Sequence, residues 1–120
     1  MQFLTPTLHG LGDYAAAIVL IAAPFALGIS EQSVIAQWFS VAGGAGLIVY
    51  SLLTDYAYSA VPLIPFNVHL VLDSLAGIAF IGLPFVLGLT GVAMIYFIAM
   101  GAGVLLVVAV TQRPVGASAA

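Results

Sequence analysis

Apolar residues fall into four long blocks, with the polar residues gathered between them. The blocks run from about Leu8 to Ile29, Ser33 to Leu53, Val68 to Leu89 and Val92 to Thr111. Each holds about 20 residues, the length at which an α-helix crosses a bilayer core of ~30 Å. Membrane barrels are instead written as alternating stretches of about ten residues, and these blocks do not alternate. The pattern predicts an all-α membrane protein with four transmembrane helices.

The polar positions predict how the helices connect. Thr7 and Asn67 are good N-cap types just before the first and third blocks. Pro6 and Pro65 stand where a helix can begin without losing a hydrogen bond. Ser30-Glu31-Gln32 and Thr90-Gly91 are tight connections, which make the helices on either side antiparallel neighbours. A longer link, Thr54 to Phe66, joins the two halves. The chain reads as one four-helix membrane domain: a first unit at about 7–53, the linker at 54–66, a second unit at about 67–111, and a flexible tail at 112–120.

The two units repeat each other. His9, Asp13, Pro24, Phe25, Leu27 and Gly28 recur sixty residues later as His69, Asp73, Pro84, Phe85, Leu87 and Gly88. Each unit crosses twice, so the chain returns to the side on which it started. Two such hairpins share one orientation and are related by a pseudo-twofold axis along the membrane normal. Both His/Asp pairs are thereby expected at the same membrane face.

Composition agrees with lipid as the solvent. Of 120 residues, 64% are hydrophobic and 4% are charged, where soluble domains carry about 25% charge. The net charge is −3 with a single basic residue, Arg113. That excludes the clustered Lys/Arg of a nucleic-acid surface or a polybasic membrane anchor. No cysteine is present, which excludes thiolate catalysis and cysteine-held metals. Arg113 follows the last block, and the positive-inside rule puts it, both termini and the linker in the cytoplasm. Met1–Gly10 lacks a basic stretch, so the first block reads as a membrane helix and not as a cleaved signal.

The candidate chemistry lies in the repeated pairs. His9/Asp13 and His69/Asp73 stand at i, i+4, one above the other on a helix face. Asp73 would sit roughly 9 Å into its helix at about 1.5 Å per residue, a costly depth for a carboxyl that faces lipid. The leading reading is structural, with each pair bonding neighbouring helices or the linker. Asp55 and Tyr56 lie on the same side and can complete that network. In the rival reading the first and third helices pack centrally and the four side chains converge, to bind a divalent metal or pass protons. No His-Glu-x-x-His pattern, serine–histidine pairing, phosphate loop or haem-attachment motif occurs. No enzyme activity, resident metal or cofactor is therefore expected.

Other positions read as architecture. Pro24 and Pro84, each four residues before a glycine, loosen a last helical turn. Gly43, Gly44, Gly46, Gly101 and Gly103 let helices approach closely; Ala42-Gly43 and Ala102-Gly103 stand sixty apart. Trp38, Tyr50, Tyr56, Tyr58 and Tyr96 read mostly as interfacial belt residues, and Glu31 and Gln32 as ordinary loop residues.

Thr54-Asp55-Tyr56, Leu63-Ile64-Pro65, the His69-x3-Asp73 motif and Pro84-Phe85-Val86-Leu87-Gly88 together resemble the SPW-repeat family of small bacterial integral membrane proteins. That family is named for Ser-Pro-Trp at the end of the first helix of each repeat. The matching positions here are Ala23-Pro24-Phe25 and Leu83-Pro84-Phe85, with phenylalanine for tryptophan and no serine. The resemblance covers about Leu8 to Thr111. It implies a two-repeat, four-helix protein of the bacterial cell (inner) membrane, and it implies no activity. The expected role is structural or accessory, with the lipid bilayer and a homo-oligomer or membrane-protein partner as contacts and no nucleic acid. The alternative is a small ion, proton or metal transporter built on the His/Asp cluster.

Overall fold

The computed structural model describes residues 2–113. Four helices follow in order: α1 (Pro6–Ala26), α2 (Val34–Leu52), α3 (Phe66–Leu87) and α4 (Gly91–Val110). Each is long and apolar enough to cross a membrane. At about 1.5 Å per residue they are roughly 28–33 Å long, the thickness of the hydrocarbon core. Large apolar side chains cover the outside, up to Val86 at 81% exposed, a surface suited to lipid and not to water.

The helix starts differ from expectation. Thr5, not Thr7, caps α1, its Oγ1 accepting from the Leu8 N–H at 3.2 Å, with Pro6 in the first turn. Pro65 holds the cap position of α3, and Asn67 lies inside the first turn. A proline at each start pre-sets φ and gives up an N–H that would have had no partner, so the helices begin earlier than the apolar blocks. Past the ends of α1 and α3, Gly28 and Gly88 take φ +64° and +67°, the left-handed region where glycine pays no Cβ penalty.

α1 packs along α2, and α3 along α4; the two hairpins touch mainly where α2 meets α3. Two close approaches fix the hairpins. A Cβ on Gly44 would stand 2.7 Å from the Ala17 carbonyl oxygen of α1, and one on Gly101 would stand 2.5 Å from that of Gly77 in α3. The two close approaches thus fall at positions 57 residues apart, Gly44 in the first hairpin and Gly101 in the second, and not sixty apart. The difference is three residues, matching the extra 3-10 turn Ile29–Glu31 between α1 and α2. Gly46 and Gly103 meet nothing within 4 Å and line a cavity.

Aromatic packing fills the middle of the bundle: Phe39 and Phe97 flank Phe80 at ring distances of 5.2 and 5.3 Å. Tyr96 is buried here, not in a belt. Its hydroxyl lies 2.6 Å from Ser40 Oγ, which donates to the Leu20 carbonyl at 2.8 Å. That carbonyl is the one left without a helix donor by Pro24. Trp38 and Phe25 meet edge to face on the outside at 5.9 Å. At the turn end, Gln32 is more than a loop residue. Its amide accepts from the Thr90 N–H and donates to the Thr90 carbonyl, both at 2.9 Å, bracketing one hairpin turn to the other.

At the opposite end the strand-like ends pair. The Leu4 N–H donates to the Val110 carbonyl at 2.9 Å and the Gln112 N–H to that of Leu4 at 2.7 Å. The Ile64 N–H donates to the Leu53 carbonyl at 2.7 Å and the Asp55 N–H to that of Ile64 at 2.8 Å. The expected tail is therefore tied at Gln112, and from 114 onward it lies outside the described residues.

Candidate functional site

The i, i+4 spacing sets each aspartate one turn deeper than its histidine, and the four side chains meet between the hairpins. His9, Asp13, His69 and Asp73 are all buried, at 1%, 7%, 0% and 4% exposure. One nitrogen or oxygen from each lies within 4.8 Å of all the others. The pairing is crossed. His9 Nε2 stands 2.9 Å from Asp73 Oδ2 and 3.2 Å from its own helix neighbour, Asp13 Oδ1. His69 Nε2 stands 2.9 Å from Asp13 Oδ2 and 3.3 Å from Asp73 Oδ2. Each histidine is thus nearer the aspartate of the other hairpin than its own.

Threonines hold the outer ring nitrogens. Thr54 Oγ1, just past α2, lies 2.7 Å from His69 Nδ1 and 2.5 Å from the Tyr50 carbonyl. Thr111 Oγ1, just past α4, lies 2.8 Å from His9 Nδ1 and 2.5 Å from the Val107 carbonyl. A hydroxyl has one proton, and a carbonyl can only accept it. Each threonine therefore donates to the carbonyl and accepts from Nδ1–H, which turns both Nε2 atoms toward the carboxylates.

Tyrosines hold the carboxylates. Tyr50 Oη donates to Asp73 Oδ1, and Tyr56 Oη donates to Asp13 Oδ2 at 2.9 Å. Tyr56, in the linker, also covers Gly10, where a Cβ would lie 3.0 Å from its ring. Burial, with a further push from the Asp13 carboxylate, raises the Tyr56 phenol above its ordinary pKa. Phe66 closes the side of the cluster, edge-on to His9 at 5.4 Å and stacked near His69 at 5.9 Å.

Of the six residues expected at the site, the fold gathers five. Asp55 is exposed; its backbone pairs with Ile64 while its side chain stays at the surface. The site also contains Tyr50, expected in the belt, and Thr54 and Thr111. The threonines carried one signal in the sequence: Thr54 immediately follows the second predicted helix and Thr111 closes the fourth, and the hairpin partner of each of those helices bears a histidine. Below the cluster lies a cavity of about 420 Å³ between the hairpins, reaching His9, Asp13, Tyr50 and Asp73 at one end. Its other walls are small or apolar, among them Ala16, Gly46, Ala76, Gly103 and Phe80.

No family model, curated protein or solved structure matches the chain.

Proposed function

We propose that the chain is a non-enzymatic, multi-pass membrane protein in which the His/Asp cluster clasps two tandem helical hairpins together at one membrane face. The crossed pairing carries this reading: the shortest contact of each histidine is to the opposite hairpin. Hydrogen-bonded polar side chains are the groups that hold membrane helices together, since apolar contacts gain little over lipid. The apolar walls of the cavity below the cluster support a clasp over a conduit.

In this reading the hairpins are repeats about a pseudo-twofold axis. Support comes from matched local contacts: Leu4–Thr111 beside Ile64–Thr54, Ala17–Gly44 beside Gly77–Gly101, and His9–Thr111 beside His69–Thr54. The motif resemblance supports membership of the SPW-repeat family and a bacterial inner membrane. Arg113 supports a cytoplasmic cluster face. The role is structural or accessory, with a second copy or another membrane protein as partner.

Thermal stability in detergent tests the clasp. His69→Ala and Asp73→Ala each leave buried polar groups unpaired, costing about 1–3 kcal/mol, and both are expected to melt earlier than the wild type. Wild-type stability in both variants would remove the clasp.

A further inference from the structure

Two imidazoles and two carboxylates share one buried space, and the protonation of the rings sets the charge there. With both Nδ1–H groups committed to threonines, a neutral imidazole turns a bare Nε2 lone pair toward the carboxylates. Two such rings and two carboxylates sum to −2 in a site screened from water. His69 Nε2 is fully buried and forms no hydrogen bond, although two carboxylate oxygens lie within 3.3 Å, while His9 Nε2 lies at hydrogen-bond distance, 2.9 Å, from Asp73 Oδ2, a contact that a metal ion would replace. Lone pairs and carboxylates that face one another at this range are a ligand set.

We propose that His9 Nε2, His69 Nε2, Asp13 and Asp73 form a four-ligand site for one divalent transition-metal ion, with Zn²⁺ the best fit. A divalent ion brings the site to neutrality. Zn²⁺ accepts two imidazole nitrogens and two carboxylate oxygens in a tetrahedron with bonds of about 2.0–2.2 Å. Such bonds put neighbouring donor atoms roughly 3.3 Å apart; Asp73 Oδ2 stands 2.9 and 3.3 Å from the two Nε2 atoms and Asp13 Oδ2 stands 2.9 Å from that of His69, with one donor from each of the four residues within 4.8 Å of the rest. The imidazoles disfavour Mg²⁺ and Ca²⁺, which prefer oxygen ligands.

The surroundings are those of a metal site. Metal-bound histidines nearly always donate the other ring N–H to a fixed acceptor, and Thr54 and Thr111 are that acceptor. Tyr50 and Tyr56 orient the two carboxylates from outside. Two ligands come from α1 and two from α3, so the ion would bridge the hairpins. The proposal thus rests on the clasp reading and names the agent that closes the clasp.

The test uses the full chain in detergent, purified without a histidine tag and stripped with chelator. Zn²⁺ alone, added in calorimetry, is expected to bind one per chain and raise the melting temperature, with no competition from excess Mg²⁺. X-ray absorption of the Zn²⁺ form should show imidazole scattering and a first shell of two nitrogens and two oxygens at about 2.0–2.2 Å. His69→Gln and Asp73→Asn should weaken binding at least 100-fold, and Thr54→Val by about 10–100-fold through the ring N–H. Absence of stoichiometric Zn²⁺ binding by the wild type, a first shell without imidazole, or folded ligand variants that bind as tightly as wild type would each overturn the site. If the variants do not fold, the wild-type absorption spectrum decides alone. Absent Zn²⁺ binding with a destabilised Asp73→Ala removes the metal and keeps the clasp; wild-type stability of both His69→Ala and Asp73→Ala removes the clasp itself.

Discussion

Ser40 offers a sharp test of how this bundle handles a proline in lipid. Pro24 has no N–H, so the Leu20 carbonyl one turn back loses its helix donor. The Ser40 hydroxyl of α2 takes that place at 2.8 Å and, its proton spent, accepts from the Tyr96 hydroxyl at 2.6 Å. Ser40→Ala therefore strips two buried groups of their partner at once. Leaving one such group unpaired costs about 1–3 kcal/mol in proteins generally, while single interhelical bonds in membranes average about 0.6 and reach about 1.7 kcal/mol. The lower scale suits a membrane bundle and gives about 1–3 kcal/mol for the pair. In a Pro24→Ala background the restored N–H of residue 24 reaches Leu20, and only the Tyr96 half of the loss remains. The cost of Ser40→Ala should then fall by roughly 1 kcal/mol, a coupling measurable in a double-mutant cycle. Reversible unfolding by SDS in mixed micelles, followed through Trp38, the single tryptophan, gives the four free energies. An equal cost of Ser40→Ala in both backgrounds would refute the link between the proline and the serine.

Two further substitutions probe the hairpins. Gly101→Ala drives a Cβ to 2.5 Å from the Gly77 carbonyl oxygen and should cost about 1–3 kcal/mol by overpacking. Gly103→Ala, with nothing within 4 Å, should be neutral or stabilising by up to ~1 kcal/mol; equal thermal stability of the two variants in detergent would contradict the assigned interface. Gln32→Ala removes both bonds to the Thr90 backbone and should accelerate hydrogen exchange at the Thr90 amide with only about 1 kcal/mol lost overall. An unchanged exchange rate there would mean that the bracket does not hold the turns.

The helices were legible because lipid demands one thing of every outward position, and twenty-residue apolar blocks answer it. The His/Asp cluster was legible as two pairs, since i, i+4 spacing is a local property. The crossing was not: which aspartate each histidine meets depends on how two hairpins lie side by side, and no local spacing records that. Tyr50 went unrecognised for a related reason. Its place near a helix end suits an interfacial belt, and only the inward turn of α2 brings its hydroxyl to Asp73. Gly44 and Gly101 were legible as small residues in mid-helix, but not as the two closest approaches, because the sixty-residue spacing of Ala42-Gly43 and Ala102-Gly103 does not coincide with the 57 residues that separate those contacts. Asp55 looked eligible by proximity in sequence, yet the backbone pairing of the linker with Ile64 leaves it outside.

An apolar bundle in lipid has a specificity problem that a soluble one does not. A leucine surface gains little by leaving lipid for another leucine surface, so apolar contact alone cannot choose a neighbour. Two kinds of residue can. Small ones set the distance at which backbones meet, as Gly44 and Gly77–Gly101 do within each hairpin. Polar ones demand a particular partner, because an unpaired polar atom in hydrocarbon is expensive. Three of the ties across the hairpins, Gln32 to Thr90, Ser40 to Tyr96, and the His/Asp cluster, lie at one end, in the interior and at the other end of the bundle. Between them the small side chains that allow close packing leave a cavity. The hairpins are thus aligned chiefly by polar atoms at a few points, and a change at any of these should alter their relative placement more than a change of equal volume on the apolar faces.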